Sequence, residues 1–467
     1  MRLVVISDIH IGSGRLDDCD AELEGAIINF LEILAKDTLP VELVINGDFL
    51  DFVQAEPWQG TDLESQTSAN IPLCFTEEQS LEKLNGIVAA HYRIFDALNV
   101  FLSSVAEHKL VILPGNHDVD FFWSEIRKKF VEVVSKGDGG VQQRLKFHLQ
   151  KAYQPQNFPG VWIEHGHQYD ECNKFEVHGE PRWSEEAKPV FIDNDGKPRL
   201  LECVGTRFLI KFLNHLDAEY PFVDNVKPFS KFVKMFLVSS LVPEFGLLKA
   251  AVALWAFISY FNKTAYESPV DILGGHMEQP NPVSLFAKRF SALSPQNTKD
   301  LTSRLKRDGF DFKGMPFSFY LRDDGRTECL LDHICRNPHI LDAIREEDIG
   351  YLSKKSIGGY LTLSSSYLKD ETEELKAAAK NLLATESISS VIMGHTHEPV
   401  DPVDDFNYVN TGSWTRNYRD TKDQRYVRSW DLLRKSAYEK FPFELSYAQH
   451  SRQGKLILYN TTYLRGH

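Results

Sequence analysis

Aspartate, asparagine and histidine side chains recur in five short polar segments, each of which follows a run of apolar residues. In chain order they are Asp8 and His10; Asp48 and Asp51; Asn116, His117 and Asp118; His165 and His167; and His395 and His397. Carboxylate, amide and imidazole groups are a ligand set that suits a pair of divalent metal ions, and one carboxylate must bridge such a pair to offset its repulsion. The chemistry that these residue types predict is metal-assisted hydrolysis at a pair of divalent ions.

The spacing inside the segments favours a shared site. Asp8 and His10 are one residue apart, and side chains two positions apart point to the same side of an extended chain. His395 and His397 repeat this spacing far along the chain. Asp48 follows a glycine, which permits a tight turn that brings its carboxylate close to a neighbouring loop.

The elements that must position these residues alternate between strands and helices. Short β-branched runs predict strands at residues 3–6, 41–45, 110–113 and 161–163, and apolar residues at helical spacing predict helices within 22–35, 80–107 and 121–134. Each predicted strand ends in one of the polar segments. Because α/β folds place their sites at the carboxyl ends of strands, the segments are expected to meet at one edge of a sheet.

The alternation is lost from about residue 169 to residue 385 and resumes with an apolar run at 389–393. Further strands are predicted at 407–410 and 455–460, where they would complete a second sheet. The pattern predicts a catalytic domain built from residues 1–169 and 386–467. Residues 170–385 would be an inserted, mainly helical cap that selects the substrate.

The most apolar stretch of the chain, residues 235–261, lies in this insertion. It is long enough to cross a bilayer, but Pro243, Glu244, Gly246 and Lys249 divide it. The favoured interpretation is a buried helix of the cap. The alternative is a helix that lies on a membrane surface or grips a lipid, and a membrane span is the least favoured.

Composition and charge limit the function classes. The chain has 467 residues and a formal net charge of -14, so no overall positive field attracts nucleic acid. Its six cysteines form no CxxC pair, which is typical of a reducing, intracellular setting. The cytoplasm is the expected location, with peripheral contact to the inner face of a membrane through residues 235–261 as an extension of that hypothesis.

In this order, the five polar segments resemble the motif set of the calcineurin-like metallophosphoesterases, and the resemblance covers both flanks of the insertion. It implies an α/β (α+β) fold, a four-layer β-sandwich flanked by helices. It also implies two divalent metal ions, with Mn expected and Fe, Zn, Ni, Co or Mg as alternatives. One ion would be held by Asp8, His10, Asp48 and His397. The other would be held by Asp48, Asn116, His165 and His395.

The resemblance implies further roles near these ions. A hydroxide that bridges the two metals would attack phosphorus, with His117 facing the leaving group and Asp118 orienting its imidazole. Asp51 would support the ligands from behind. His165 is the expected ligand of its segment, with His167 as the alternative. Beyond the last motif, Arg416 is a candidate for binding a substrate phosphate, and a surface salt bridge is an equal alternative.

The substrate is left open by the catalytic set, because fold and motif specify the reaction type only. The position of the insertion is similar to that in UDP-diacylglucosamine pyrophosphohydrolases, although this insertion is far longer. The expected substrate is therefore a phosphorylated small molecule, including a lipid-linked or nucleotide-linked pyrophosphate. The alternatives are a nuclease or phosphodiesterase acting on nucleic acid, a protein phosphatase and a metal-free scaffold.

Overall fold

The structure is a computed structural model of the chain. It describes residues 1–14, 18–55, 74–177, 179–210, 307, 320–321, 327–328, 371–385, 387–403, 406–416, 445–450 and 456–460. The apolar segment 235–261 and most of the predicted cap lie outside the described residues. Within the described ranges, no helix is long and apolar enough to cross a bilayer.

The described elements alternate between strands and helices in the first half of the chain. The helices are α1 (Ala21–Ala35), α2 (Glu77–Ala90), α3 (Tyr92–Ser104), α4 (Ser124–Ser135), α5 (Gly139–Arg144), α6 (Val204–Phe208) and α7 (Glu371–Leu383). The strands are β1 (Arg2–Ile6), β2 (Val41–Asn46), β3 (Lys109–Leu113), β4 (Leu145–Phe147), β5 (Val161–Ile163), β6 (Glu176–Val177), β7 (Glu180–Pro181), β8 (Val190–Ile192), β9 (Pro198–Leu200), β10 (Tyr320–Leu321), β11 (Thr327–Glu328), β12 (Ser390–Met393), β13 (Tyr408–Asn410), β14 (Ser446–His450) and β15 (Leu456–Asn460).

Two sheets carry the site. The larger has the order β15-β14-β1-β2-β3-β4, in which β1 to β4 are parallel and β14 and β15 add on antiparallel. The smaller has the order β13-β12-β5 and is parallel throughout. The prediction that residues 455–460 complete the second sheet is wrong: β15 pairs with β14, and β14 pairs with β1 in the larger sheet.

Apolar side chains define four layers, and the mixed α/β fold class is confirmed. Leu3, Val5 and Val44 of the larger sheet pack against Ile163 and Ile392 of the smaller one. The other face of the larger sheet packs against helices that include α1, α3 and α4. The other face of the smaller sheet packs against α7. The order is therefore helices, sheet, sheet, helix.

Local sequence explains where the helices begin and end. The carboxylate of Asp20 accepts hydrogen bonds from the amides of Glu22 and Leu23, both at 2.9 Å, and so caps α1. Thr76 and Gln79 form a reciprocal capping box at the start of α2. The single helical stretch predicted at 80–107 is wrong in one respect, because the chain turns at His91 and separates α2 from α3. No proline or glycine marks that turn.

Candidate metal centre

The polar segments predicted from the sequence meet where the loops after β1, β2, β3, β5 and β12 converge. Main-chain hydrogen bonds tie the first two loops together: the Asp8 amide donates to the Gly47 carbonyl (3.1 Å) and the His10 amide to the Asp48 carbonyl (3.0 Å). The His395 amide donates to the Asp8 carboxylate at 2.9 Å, which joins the last segment to the first. Residues from both ends of the chain therefore share one buried site.

Five of these residues have a left-handed backbone conformation that side chains other than glycine rarely adopt. Their φ angles are 53° at Asp8, 52° at His10, 50° at Asp48, 72° at His395 and 58° at His397. Each costs about 1–2 kcal/mol, and such strain concentrates at functional sites. The premise that Asp8 and His10 lie on an extended segment is therefore wrong, since sharp turns direct both side chains into the site.

The first half of the site contains Asp8, His10 and His397, whose ligand atoms lie within 4.8 Å of one another. The Nε2 atoms of His10 and His397 are 3.1 Å apart, and Asp8 Oδ1 lies 3.4 Å from the His397 nitrogen. His10 Nδ1 is 3.0 Å from Asp51, an acceptor-only carboxylate, so Nδ1 carries the proton and the lone pair of Nε2 points at the other imidazole. This arrangement suits a cation between the rings.

The second half contains Asp48, His165 and His395, whose ligand atoms also lie within 4.8 Å of one another. Oδ2 of Asp48 is 3.1 Å from His165 Nε2 and 3.9 Å from His10 Nε2. One carboxylate oxygen thus lies between an imidazole of each half. A bridging ligand would occupy this position.

Three buried polar atoms of the second half lack a hydrogen-bond partner within the described part of the chain. They are Asn116 Oδ1, His165 Nε2 and His395 Nδ1. Buried polar atoms are nearly always satisfied, and an absent ion is one explanation for an exception. Together with the carboxylates and imidazoles, they make the residues present a suitable cage for two divalent cations.

Glycine at two positions allows the loops to approach this closely. A Cβ atom at Gly115 would overlap Oδ1 of Asp48, and one at Gly47 would overlap the His165 ring. Gly47 also has a φ of +85°, which favours glycine. This close approach explains why glycine precedes the ligand candidates Asp48 and Asn116 in their motifs.

Opposite charges stabilise each other in the buried site. Burial alone would lower the pKa of His165, but Asp48 and Asp8 outweigh it and raise the pKa to about 9. Burial alone would raise the pKa of Asp8, but His165 and His397 outweigh it and lower the pKa to about 2. Without metal, the positive charge of the His165 imidazole partly replaces that of a cation.

Comparison with known proteins identifies this arrangement. Residues 1–201 match the family model of the calcineurin-like phosphoesterases. The chain contains a calcineurin-like phosphoesterase domain. This family is a class of metal-dependent phosphoesterases, so the protein is an enzyme of that class. Neither the curated proteins nor the solved structures gave a match to the chain.

His117 of the phosphoesterase domain lies at the rim of the site, with 8 % of its surface exposed. Its Nδ1 is 2.9 Å from Asp51 Oδ2, the oxygen that also contacts His10. The prediction that Asp118 orients His117 is wrong, because main-chain amides occupy its carboxylate: Gly115 donates to Oδ1, and Phe49 to Oδ2 at 2.9 Å. Asp118 holds the loops together, and burial followed by the nearby Asp48 raises its pKa to about 7.

The remaining candidates of the phosphoesterase domain lie beside the cluster. His167 packs edge-on against Trp183 (4.3 Å between ring centroids), and its Nε2 lies 2.8 Å from Gln168. Burial and the neighbouring histidines keep its pKa well below the ordinary value. Arg416 forms ion pairs with Asp20 (2.6 Å) and Glu22 (2.9 Å) at the start of α1. Of the two roles expected for Arg416, phosphate binding or a salt bridge, these contacts correspond to the salt bridge.

Two residues that the sequence analysis did not single out complete the phosphoesterase site from behind. Asp170 Oδ2 lies 3.1 Å from Nε2 of His395. Asn173 Oδ1 lies 3.5 Å from Nδ2 of Asn116. In the sequence, Asp170 and Asn173 are marked only by the run of polar residues that follows His167. That run does not show which proposed ligands the two side chains contact.

Proposed function

We propose that the protein hydrolyses a phosphate ester or pyrophosphate with two divalent metal ions. One ion is held by Asp8, His10, Asp48 and His397. The other is held by Asp48, Asn116, His165 and His395. Mn²⁺ suits this mixture of imidazole and carboxylate ligands, with Fe, Zn, Ni, Co and Mg as alternatives.

The observation that carries this proposal is the position of Asp48. Its Oδ2 lies between the imidazoles of His165 and His10, at 3.1 and 3.9 Å, while its Oδ1 accepts the amide of His117 at 2.8 Å. One oxygen is therefore fixed by the main chain and the other faces both halves of the site. When bound, the two ions lower the pKa of water and neutralise phosphoryl oxygens.

The chain's own groups bind, orient and move protons around this centre. Asp51 fixes the orientation of the His117 ring through Nδ1, so that Nε2 lies on the side of the ring away from Asp51. His117 and His397, at 8 % and 7 %, are more exposed than the remaining proposed ligands, which supports an approach of the substrate from their side. His117 therefore acts on the leaving-group oxygen, where a positioned acid assists departure.

The finer assignment concerns the substrate and the rest of the chain. In this proposal residues 1–169 and 386–467 form the catalytic domain, and 170–385 form a cap that selects a lipid-linked or nucleotide-linked phosphate. The apolar segment 235–261 and the net charge of -14 support a small or lipid-linked substrate over nucleic acid. Two described cysteines, Cys74 and Cys203, are buried and form no disulfide, which fits a reducing compartment.

The test is metal content and turnover of the full chain. After dialysis against Mn²⁺, we expect elemental analysis to find two ions per chain and bis-p-nitrophenyl phosphate to be cleaved. A panel of phosphomonoesters, diesters, nucleotide pyrophosphates and lipid-linked pyrophosphates would then rank the substrates. A folded protein that retains no divalent ion would overturn the proposal, whereas cleavage of the diester without any lipid-linked substrate would remove only the lipid assignment.

A further inference from the structure

We infer that Asp170 and Asn173 are a positioning pair that sets the ligand atoms of His395 and Asn116 for the second metal ion. This inference rests on the proposed function, because it assigns roles toward the same centre. Both residues are buried, at 7 % and 9 % exposure, and both lie in the short segment that follows His167.

Asp170 determines which nitrogen of His395 carries the proton. Its Oδ2 lies 3.1 Å from His395 Nε2 and also accepts the side-chain amide of Asn173 at 2.6 Å. An ionised carboxylate only accepts hydrogen bonds, so Nε2 of His395 must be the protonated nitrogen. Nδ1 then presents its lone pair, and this buried atom has no hydrogen-bond partner among the described residues.

Asn173 determines which way the amide of Asn116 faces. Because Nδ2 of Asn173 donates to Asp170, its Oδ1 is the atom that faces Asn116 Nδ2, at 3.5 Å. The Sγ of Cys203 donates to the same oxygen at 3.6 Å. Asn116 therefore directs Oδ1 away from this pair, and that buried oxygen also lacks a hydrogen-bond partner within the described ranges.

His395 Nδ1 and Asn116 Oδ1 are both atoms that the proposed function requires as ligands. One chain of hydrogen bonds, from His395 through Asp170 and Asn173 to Asn116, fixes both of them at once. Groups behind metal ligands act in this way, and their loss typically lowers metal affinity by about 10–100-fold.

The protein holds this pair firmly in place. The second oxygen of Asp170 accepts the Cys172 amide at 2.8 Å, which closes a tight turn. The Gly205 amide of α6 donates to the Cys172 carbonyl at 2.7 Å. A Cβ atom at Gly205 would overlap Oδ1 of Asn173, so glycine lets the asparagine lie where it meets Asn116.

The most direct test is Asp170→Asn in the full chain, with Mn²⁺ as the probe. The new amide can still accept the Cys172 amide, but its NH₂ group would face Nε2 of His395. The imidazole then shifts its proton to Nδ1, which blocks that ligand atom. We expect one Mn²⁺ to bind as in the parent and the second to bind about 10–100-fold more weakly. The EPR signal of a spin-coupled Mn²⁺ pair should give way to that of an isolated ion.

Two further variants test the other end of the pair without changing a charge. Asn173→Ala removes the acceptor that orients Asn116. Gly205→Ala places a methyl group of α6 against Asn173 and so displaces the asparagine without replacing it. Both should weaken the same single Mn²⁺ site. Asp193→Asn is the matched control, because Asp193 also accepts main-chain amides (Asp195 at 2.9 Å and Lys197 at 2.8 Å) but belongs to a separate hairpin. It should bind both ions as the parent does.

Each outcome decides between explanations. Two Mn²⁺ ions of parental affinity and an intact coupled signal in Asp170→Asn would overturn the positioning role. Loss of both ions, with a lower unfolding midpoint in EDTA, would assign Asp170 a general structural role and also overturn it. A parent protein that binds no Mn²⁺ at all would instead overturn the proposed function.

Discussion

The two halves of the metal centre are supported by different carboxylates. In the half formed by Asp8, His10 and His397, the supporting carboxylate is Asp51, which contacts His10 at 3.0 Å and His117 at 2.9 Å. In the other half it is Asp170, which contacts His395 and, through Asn173, Asn116. Asp51 thus joins a proposed ligand to the proposed acid, whereas Asp170 joins two proposed ligands of one ion.

This difference separates two functions that a metal site must combine. Among the proposed ligands and the proposed acid, the more exposed side chains are His117 and His397 of the Asp51 half, at 8 % and 7 %. In the proposed function this is the side from which the substrate approaches. The histidine ligands of the Asp170 half are more enclosed, with His165 and His395 at 2 % and 1 %. We expect loss of the Asp51 carboxylate to alter both metal binding and turnover, and loss of the Asp170 carboxylate to alter metal binding alone once Mn²⁺ is saturating.

The largest effect is expected from Asp48→Asn, which removes the carboxylate that both halves share. An amide presents one acceptor oxygen and no charge, so the repulsion between two cations would no longer be offset. Turnover should be undetectable, and affinity for both ions should fall by more than the roughly 100-fold seen for supporting groups. Elemental analysis and diester hydrolysis provide the measurements. Retention of two tightly bound ions would show that Asp48 does not bridge.

His117→Ala should slow turnover strongly while both ions stay bound. The substitution keeps the main-chain amide that donates to Asp48 and removes only the imidazole. Loss of a positioned acid lowers the rate by about 10²–10⁴-fold. The loss should be greatest for substrates with poor leaving groups, such as alkyl esters, and smallest for nitrophenyl esters. A rate loss that is equal for both leaving groups would contradict the role of His117.

The strands that carry the site could be predicted from sequence because their apolar runs end in polar motif residues. The elements that were missed lack this contrast. β4 is only Leu145–Phe147, and β14, Ser446–His450, alternates polar and small residues with few apolar ones. Without β14, residues 456–460 had no visible partner in the larger sheet. The turn at His91 was missed because the apolar spacing continues through it.

The motif residues could be predicted from sequence, but the contacts behind them could not. Asp51 and Asp118 have the same residue type and both follow a motif, yet one meets imidazoles and the other meets main-chain amides. Asp170 gave no signal because its partner His395 lies 225 positions away. The left-handed φ angles at Asp8 and His395 were also invisible, because Asp and His adopt them more often than most residues but still in only a small fraction of cases.

Asp51→Asn tests the contrast with Asp170→Asn directly. The new NH₂ group would face the Nδ1 atoms of His10 and His117, so both rings would lose their orientation. We expect about 10–100-fold weaker binding of one Mn²⁺. At saturating Mn²⁺, turnover should recover toward the parental rate in Asp170→Asn and stay low in Asp51→Asn, because His117 is still misoriented. Equal recovery in both variants would remove the distinction between the halves. Measuring kcat of both variants as a function of Mn²⁺ concentration provides the comparison.

The smallest effect on turnover is expected at Lys83, which lies behind the Asp51 half without touching a proposed ligand. This fully buried ammonium donates to the Phe52 carbonyl at 2.9 Å and lies over the Phe75 ring. Burial lowers its pKa to about 8, against the opposing effect of Asp120 and Glu202. Lys83→Met should therefore leave metal binding unchanged and affect stability instead.

The sign of that stability effect follows from proton binding. Between pH 8 and the ordinary lysine pKa of 10.5, the unfolded chain holds a proton that the folded chain has released, so the stability of the parent rises with pH. Below pH 8 both states are protonated and this contribution is constant. The free energy of unfolding of the parent, relative to Lys83→Met, should increase by about 3 kcal/mol across this range. Urea unfolding in EDTA at several pH values measures the difference in the free energy of unfolding between the parent and Lys83→Met. The contributions of groups that titrate in both proteins cancel in this difference. A difference that does not change with pH would mean that Lys83 keeps an ordinary pKa despite its burial.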